Sequence, residues 1–185
     1  LYAVRIFGDR LSARASALLA GIDWALDAGM HVINLSLGTS KVEHRAGFEA
    51  SIRRATRAGA VIVAARDDEG VKWLPGSLPG VLGVQVDWHC PRDQFRVIEA
   101  GGMPVFRASG FARPIPGVDP RRNLNGISFA VANMAGFLAR AMCVAPTPSA
   151  EDAVLRLVRF AQVPIYAGHG DLADDPPGGP AVDPL

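Results

Sequence analysis

Cysteine is scarce in this chain: of 185 residues only Cys90 and Cys143 carry a thiol, and they stand far apart in the sequence. Such a pair forms neither a CxxC nor any metal-ligand spacing, and it does not make a secreted disulfide scaffold. It fixes no redox compartment either. An excess of charge of one sign is also lacking, with 19 Lys and Arg against 18 Asp and Glu and a net charge of +1. That balance argues against nucleic acid or an anionic membrane as partner, since Arg53, Arg54 and Arg57 share a helix with no aromatic residues interleaved. The three arginines read as a solvated helix face. No apolar run is long enough to span a bilayer.

What is present is the composition of a globular protein, 49% hydrophobic and 20% charged, in a chain large enough to build a core without disulfide or metal staples. Residues 1–165 read as one domain, and 166–185 as a Gly/Pro/Asp-rich tail forming an edge with a frayed end. The chain opens without Met in "LYAVRIF", which reads as a core strand, so upstream sequence is expected. Strand and helix then alternate. Ser12 is placed to cap a helix whose Leu18, Leu19, Ile22 and Leu26 form one stripe, and Gly29 ends it. "HVINLSL" is a strand. The next helix turns Phe48, Ile52 and Ala55 inward and stops at Gly59. "AVIVAA" is apolar at every position, as in a parallel strand covered on both faces, and "GVLGVQV" repeats the theme. The irregular stretch 88–124 contains short strands near "FRVIEA" and "MPVFRA". A third helix runs from about Ser128 to Met142, and a fourth from about Ser149 to Ala161 with Glu151 and Asp152 in its first turn, where the helix dipole favours acids.

This alternation predicts an α/β fold, a parallel sheet with right-handed crossovers and helices on its faces. Sites in such sheets form beyond the carboxyl ends of the strands. That rule brings "SLGTS" and "ARDDEG" to one edge. "NGISFAVANMAG" adds a serine in the first turn of a helix, where orphan amides and the helix dipole favour an anion.

Three co-linear segments, "LYAVRIFG…GIDWALDAGMHVINLSLG", "AVIVAARDDEG" and "NGISFAVANMAG", resemble the back two-thirds of a subtilisin-like serine protease domain of the subtilase family. "LPGSLPGVLGVQ" between them resembles the family's stretch at that place. The resemblance covers residues 1 to about 160 and implies a three-layer, subtilisin-like parallel sheet flanked by helices, with its N-terminal part missing from this chain. It makes Ser128 the nucleophile and its amide one oxyanion donor. Ser36, Leu37 and Gly38 become the extended segment that pairs with a peptide substrate and walls the primary specificity pocket. Ala64, Ala65 and Arg66 form the opposite wall, with Asp67 enlarging it. A peptide or protein is thus the implied partner. No cofactor is implied within this chain; calcium, bound by many relatives, falls upstream.

The departures are specific. Asp68 stands where the family has its oxyanion asparagine, although some proprotein-processing members use Asp there. Ile127 replaces a threonine that assists the same oxyanion, and Ala132 and Asn133 replace a Pro and a His. An acid such as Asp67 beside the pocket either selects a basic side chain or closes the space. The triad His and Asp precede the matched region, so the resemblance puts both upstream. His31, His44 and His89 occupy no family position. "GHGD", Gly168 to Asp171, mimics the family's histidine motif but follows the serine, and is read as a decoy. The sequence therefore carries two functions: a serine endopeptidase working through an acyl-enzyme on Ser128, inactive as this chain alone, or a degenerate pseudo-peptidase retained for peptide binding or scaffolding.

Overall fold

The computed structural model describes residues 1–8, 12–68, 70–143 and 149–162. Helix α1, Ala15–Asp27, buries Leu18, Ile22, Ala25 and Leu26 at helical spacing. Helix α2, Arg45–Arg57, buries Phe48, Ser51, Ile52 and Ala55. Both helices stop the same way. Gly29 and Gly59 take φ of +71° and +69°, and the residues around them close a pair of hydrogen bonds, Gly29 to Leu26 and Met30 to Ala25, then Gly59 to Thr56 and Ala60 to Ala55. This is the Schellman arrangement, and glycine is favoured because a Cβ penalises the left-handed turn.

The strands are β1 (Val32–Leu35), β2 (Val61–Ala65), the two-residue pair β3 (Asp67–Asp68) and β4 (Val71–Lys72), then β5 (Val81–Val86), β6 (Phe95–Ala100) and β7 (Met103–Ala108). The main sheet runs β1-β2-β5-β7-β6. Its first four strands are mutually parallel, and β6 pairs antiparallel with β7. The sheet is therefore mixed at one edge, because the short Gly101–Gly102 turn, both residues at positive φ, can join only antiparallel neighbours.

Helix α3, Ile127–Cys143, and helix α4, Ala150–Gln162, cover the face opposite α1 and α2. Ser149 caps α4, its hydroxyl accepting the Asp152 amide at 3.0 Å and donating to the Asp152 carboxylate at 2.7 Å. Strand β2 lies in the middle. Ile62 and Ala64 join the core under α1 and α2, while Val63 and Ala65 join the core under α3. All four are buried, as its uninterrupted apolar run requires.

Three sequence expectations change. Residues 1–8 form no strand. They pack along α1, with Ile6 and Val4 against Gly21 and Tyr2 edge-on to Trp24 at 6.4 Å. An apolar pattern supplies side-chain burial but not the backbone partner that makes a strand. Ser12 does not cap α1: the helix starts later, with Arg14 at the N-cap and no side-chain cap bond. The arginine face is not wholly solvated either, for Arg54 of α2 donates to Asp23 at 2.7 Å and to Asp27, both on α1. The two carboxylates raise its already high pKa. The tail 166–185 and "GHGD" lie outside the described residues. Among the described residues no helix is long and apolar enough to cross a membrane, and no group of three or more His, Cys, Asp or Glu is placed to hold a metal.

The two thiols have different environments. Cys90 is buried, with Sγ 3.4 Å from the Gln94 carbonyl, and burial raises its pKa, aided by Asp87. Cys143 is exposed. Reaction needs the thiolate and access to it. A disulfide reagent at pH 8 should modify Cys143 at least about tenfold faster than Cys90 in the native protein, with the difference vanishing in denaturant. Equal native rates, read by mass spectrometry of tryptic peptides, would contradict the buried placement of Cys90.

Candidate active site

Ser128 is positioned by what precedes it. Residues 123–126 are laced to 110–112: the Ala112 amide donates to Leu124, the Gly126 amide donates to Gly110 at 2.8 Å, and Phe111 bridges Asn125. Gly126 has φ +140°, a conformation L side chains rarely adopt. That turn starts α3 at Ile127, which packs into the core below. Ser128 follows in the first turn, exposed. Its amide lies before any intrahelical acceptor, so it is one of the orphan donors of the helix start. Further along α3, Asn133 donates to the Ser109 carbonyl at 2.9 Å and accepts from Arg92, tying the helix to the loop beside it.

The end of β1 meets this turn. The Ser128 hydroxyl donates to the Ser36 carbonyl at 3.2 Å, and the Ser36 hydroxyl donates to the Ser128 carbonyl, also at 3.2 Å. Asn34 Nδ2 donates to Ser36 Oγ at 3.0 Å. Two segments 92 residues apart are thereby clasped reciprocally. Among the described residues, Leu37 and Gly38 make no backbone hydrogen bond, which leaves their main-chain groups free to pair with an extended peptide.

Across from them stands the end of β2. The side chains of Ala64 and Ala65 belong to the two cores, so only their backbone can wall a pocket. Gly76 is pressed against that backbone: a Cβ there would lie 1.9 Å from the Ala65 carbonyl oxygen and 2.9 Å from that of Ala64. Arg66 folds over Gly83, whose missing Cβ leaves room for Arg66 Cβ and Cδ. Its Nε sits 3.4 Å from Asp67 Oδ2, and Gln85 Nε2 donates to Asp67 Oδ1. The Asp67 carboxylate thus has internal partners on both oxygens. It is not the free acid that would select a basic substrate side chain.

Asp68 follows in the backbone of β3, paired with Val71; the placement of its carboxyl, and residue 69, lie outside the described residues. Among the described residues, the three histidines do not assemble with Ser128. His31 precedes β1, at the opposite end from Ser36, about 16 Å away at the usual strand rise. His44 precedes α2. His89 is exposed beyond β5, its amide donating to Asp87.

A model of the Subtilase family matches residues 1–85. Alkaline elastase YaB of Bacillus sp. (strain YaB) is 31% identical over 142 residues, covering 75% of this chain and 37% of the relative. Subtilisin Savinase of Lederbergia lenta is 31% identical over 159 residues, covering 84% of this chain and 57% of the relative. The solved structure of the patellamide maturation protease PatA superposes with a TM-score of 0.56 at 26% identity, over 80% of this chain and 58% of that one. Together these matches support a fragment of the subtilase family. It spans about a third to three-fifths of the length of these relatives.

Within this chain, three residues that sequence reasoning left aside shape the candidate site. Asn34 orients Ser36, and its signal was a polar residue at an otherwise apolar position of β1. Gly76 and Trp73 lie in "KWLPG", where only the Pro-Gly turn was conspicuous. Gly76 gives a direct test of the wall. Gly76→Ala places a methyl inside backbone atoms that cannot yield, so it should cost about 1–3 kcal/mol or more, as overpacking does. Thermal unfolding should show a fall in midpoint of several degrees, at roughly 2–4 °C per kcal/mol for a domain of this size. A midpoint unchanged from wild type would remove Gly76 from the wall.

Proposed function

We propose that the protein containing this chain is a serine endopeptidase of subtilisin type, hydrolysing peptide bonds through an acyl-enzyme on Ser128. The observation that carries the reading is an exposed hydroxyl in the first turn of α3, bonded to Ser36 beside the unpaired main chain of Leu37 and Gly38. A peptide added beside Leu37 and Gly38 would bring its carbonyl carbon to Ser128 Oγ. The amide of Ser128, at a helix N-terminus, would then meet the oxyanion where the dipole favours negative charge. Asp68 is the second oxyanion group of this reading, able to donate only when protonated.

The hydroxyl proton needs a base. In this chain it points at the Ser36 carbonyl, a neutral amide oxygen that accepts a hydrogen bond but does not take the proton. The proposal therefore places the triad His and Asp in upstream sequence, where an imidazole would draw the hydroxyl away from Ser36. A fluorophosphonate probe should label Ser128 in the full-length protein and leave the isolated 185-residue chain unlabelled. The alternative, a pseudo-peptidase that keeps the groove without turnover, draws on the Asp68 and Ile127 replacements; a full-length protein with intact His and Asp that remains unlabelled would establish it.

Asp68→Asn separates the oxyanion role from a structural one. An amide donates at every pH, whereas a carboxyl donates only in its acid form, so the variant should raise kcat most at alkaline pH. The gain should be about tenfold or more, below the 10²–10³ by which subtilisin itself depends on its oxyanion asparagine. KM should barely move, because the contact matters chiefly in the transition state. Turnover unchanged at all pH values would take Asp68 out of the oxyanion site.

A further inference from the structure

Beyond the last β1–β2 pair, Leu35 with Ala64, the two strands part. The gap is closed again by backbone. Thr39 and Leu74 exchange hydrogen bonds of 3.0 and 2.8 Å, and the Trp73 amide donates to the Arg66 carbonyl at 2.8 Å. Ser36 to Gly38 form one side of this frame, Ala64 to Arg66 the other, and Trp73–Leu74 the end. Ser128 stands at its mouth, held to Ser36. Whatever side chain of a bound peptide points down beside Ser128 must enter this frame.

The end of this frame is tight. Trp73 Cβ lies 3.3 Å from where a Cβ on Gly38 would sit, and the Leu74 carbonyl oxygen lies 2.7 Å from it. Gly38 and Trp73 thus close on one another, and no larger residue than glycine fits at 38 without displacing backbone. Leu74 turns into the core under α1 and α2, whereas Trp73 turns the other way and packs, half-buried, against the core under α3. Its indole thus lies on the α3 side of the sheet, the side from which Ser128 rises. An indole is the largest side chain there is, and its rigid ring has few conformations in which to move aside. Arg66 and Asp67 are themselves held, Arg66 packed over Gly83 and Asp67 bonded to Gln85.

We propose that Trp73 plugs the specificity pocket beside Ser128, so that the protein accepts peptides whose residue in that pocket is small, glycine, alanine or serine, and rejects aromatic and long side chains. The inference rests on the reading of Ser128 as the site-marking residue but not on its reactivity, since a pocket filled by an indole discriminates in a pseudo-peptidase as it does in an enzyme.

The test is binding without turnover. The full-length protein with Ser128→Ala, labelled with 5-fluorotryptophan, is titrated with Ala-Ala-Ala-Ala and Ala-Ala-Ala-Phe and followed by fluorine NMR, the Trp73 resonance being assigned from Trp73→Phe. The alanine-ended peptide should shift the Trp73 resonance and bind about tenfold tighter or more, the scale at which pockets discriminate by size. Trp73→Ala should reverse the preference, and Trp73→Phe should fall between, which keeps the test valid if the alanine variant folds poorly. Equal or tighter binding of the phenylalanine-ended peptide to the parent, a preference unmoved by both substitutions, or no binding of either peptide to a protein with an unaltered melting curve would each overturn the proposal. Fluorophosphonate labelling of the Ser128 form reports separately on the nucleophile, so failure of that reading and failure of this one are told apart.

Discussion

Strand β2 is the element on which the rest depends, because among the described residues it is the one strand that gives fully buried side chains to both cores. Its alternate residues feed opposite faces, Ile62 and Ala64 to one and Val63 and Ala65 to the other, and all are buried. Fully burying a Val or Ile contributes about 1.5–3 kcal/mol, but the larger consequence is geometric. A slip by one residue would exchange Ile62 and Ala64 with Val63 and Ala65 between two close-packed cores, so the fit of side-chain volumes holds the register. The carboxyl end of β2 is thereby fixed, and with it the wall formed by the Ala64 and Ala65 carbonyls.

The wall is shaped by small residues meeting large ones. Gly76 lets a backbone turn touch the end of β2, Gly83 admits the Arg66 side chain, and Gly38 faces Trp73 and the Leu74 carbonyl. Each contact trades a missing Cβ for a close approach. Opposite them, the Ser36–Ser128 clasp joins a strand end to a helix start through hydroxyls and carbonyls alone. Every group in that clasp belongs to one of the two segments it joins, with Asn34 as its outer support.

Charge plays a smaller part at the site than the sequence suggests. "ARDDEG" is rich in acids, yet Asp67 is paired with Arg66 and bonded by Gln85, and both Arg66 and Asp67 are largely covered. The arginines of α2 show the reverse case: a face that reads as solvent-facing contains Arg54, which grips two carboxylates of α1. Whether a charged side chain meets water or a partner depends on which element lies across from it, and helical periodicity does not contain that information.

The sequence by itself determined the elements. Periodicity placed α1 to α4 and the five strands of the main sheet, Gly29 and Gly59 ended their helices by the left-handed turn that glycine takes most easily, and Ser128 was legible as a first-turn residue because Gly126 stands before it. These are local facts, set by backbone sterics and by the spacing of apolar residues within one element. Tertiary structure decided what local patterns do not encode: that residues 1–8 lie on α1 with no ladder partner, that β6 runs antiparallel, that Ser36 and Ser128 bond across 92 residues, and that Trp73 and Leu74 close on Gly38. The reason is that a side chain's direction past the end of a strand follows from which neighbouring segments compete for the same space, and that competition exists only once the crossovers have brought the strand ends together.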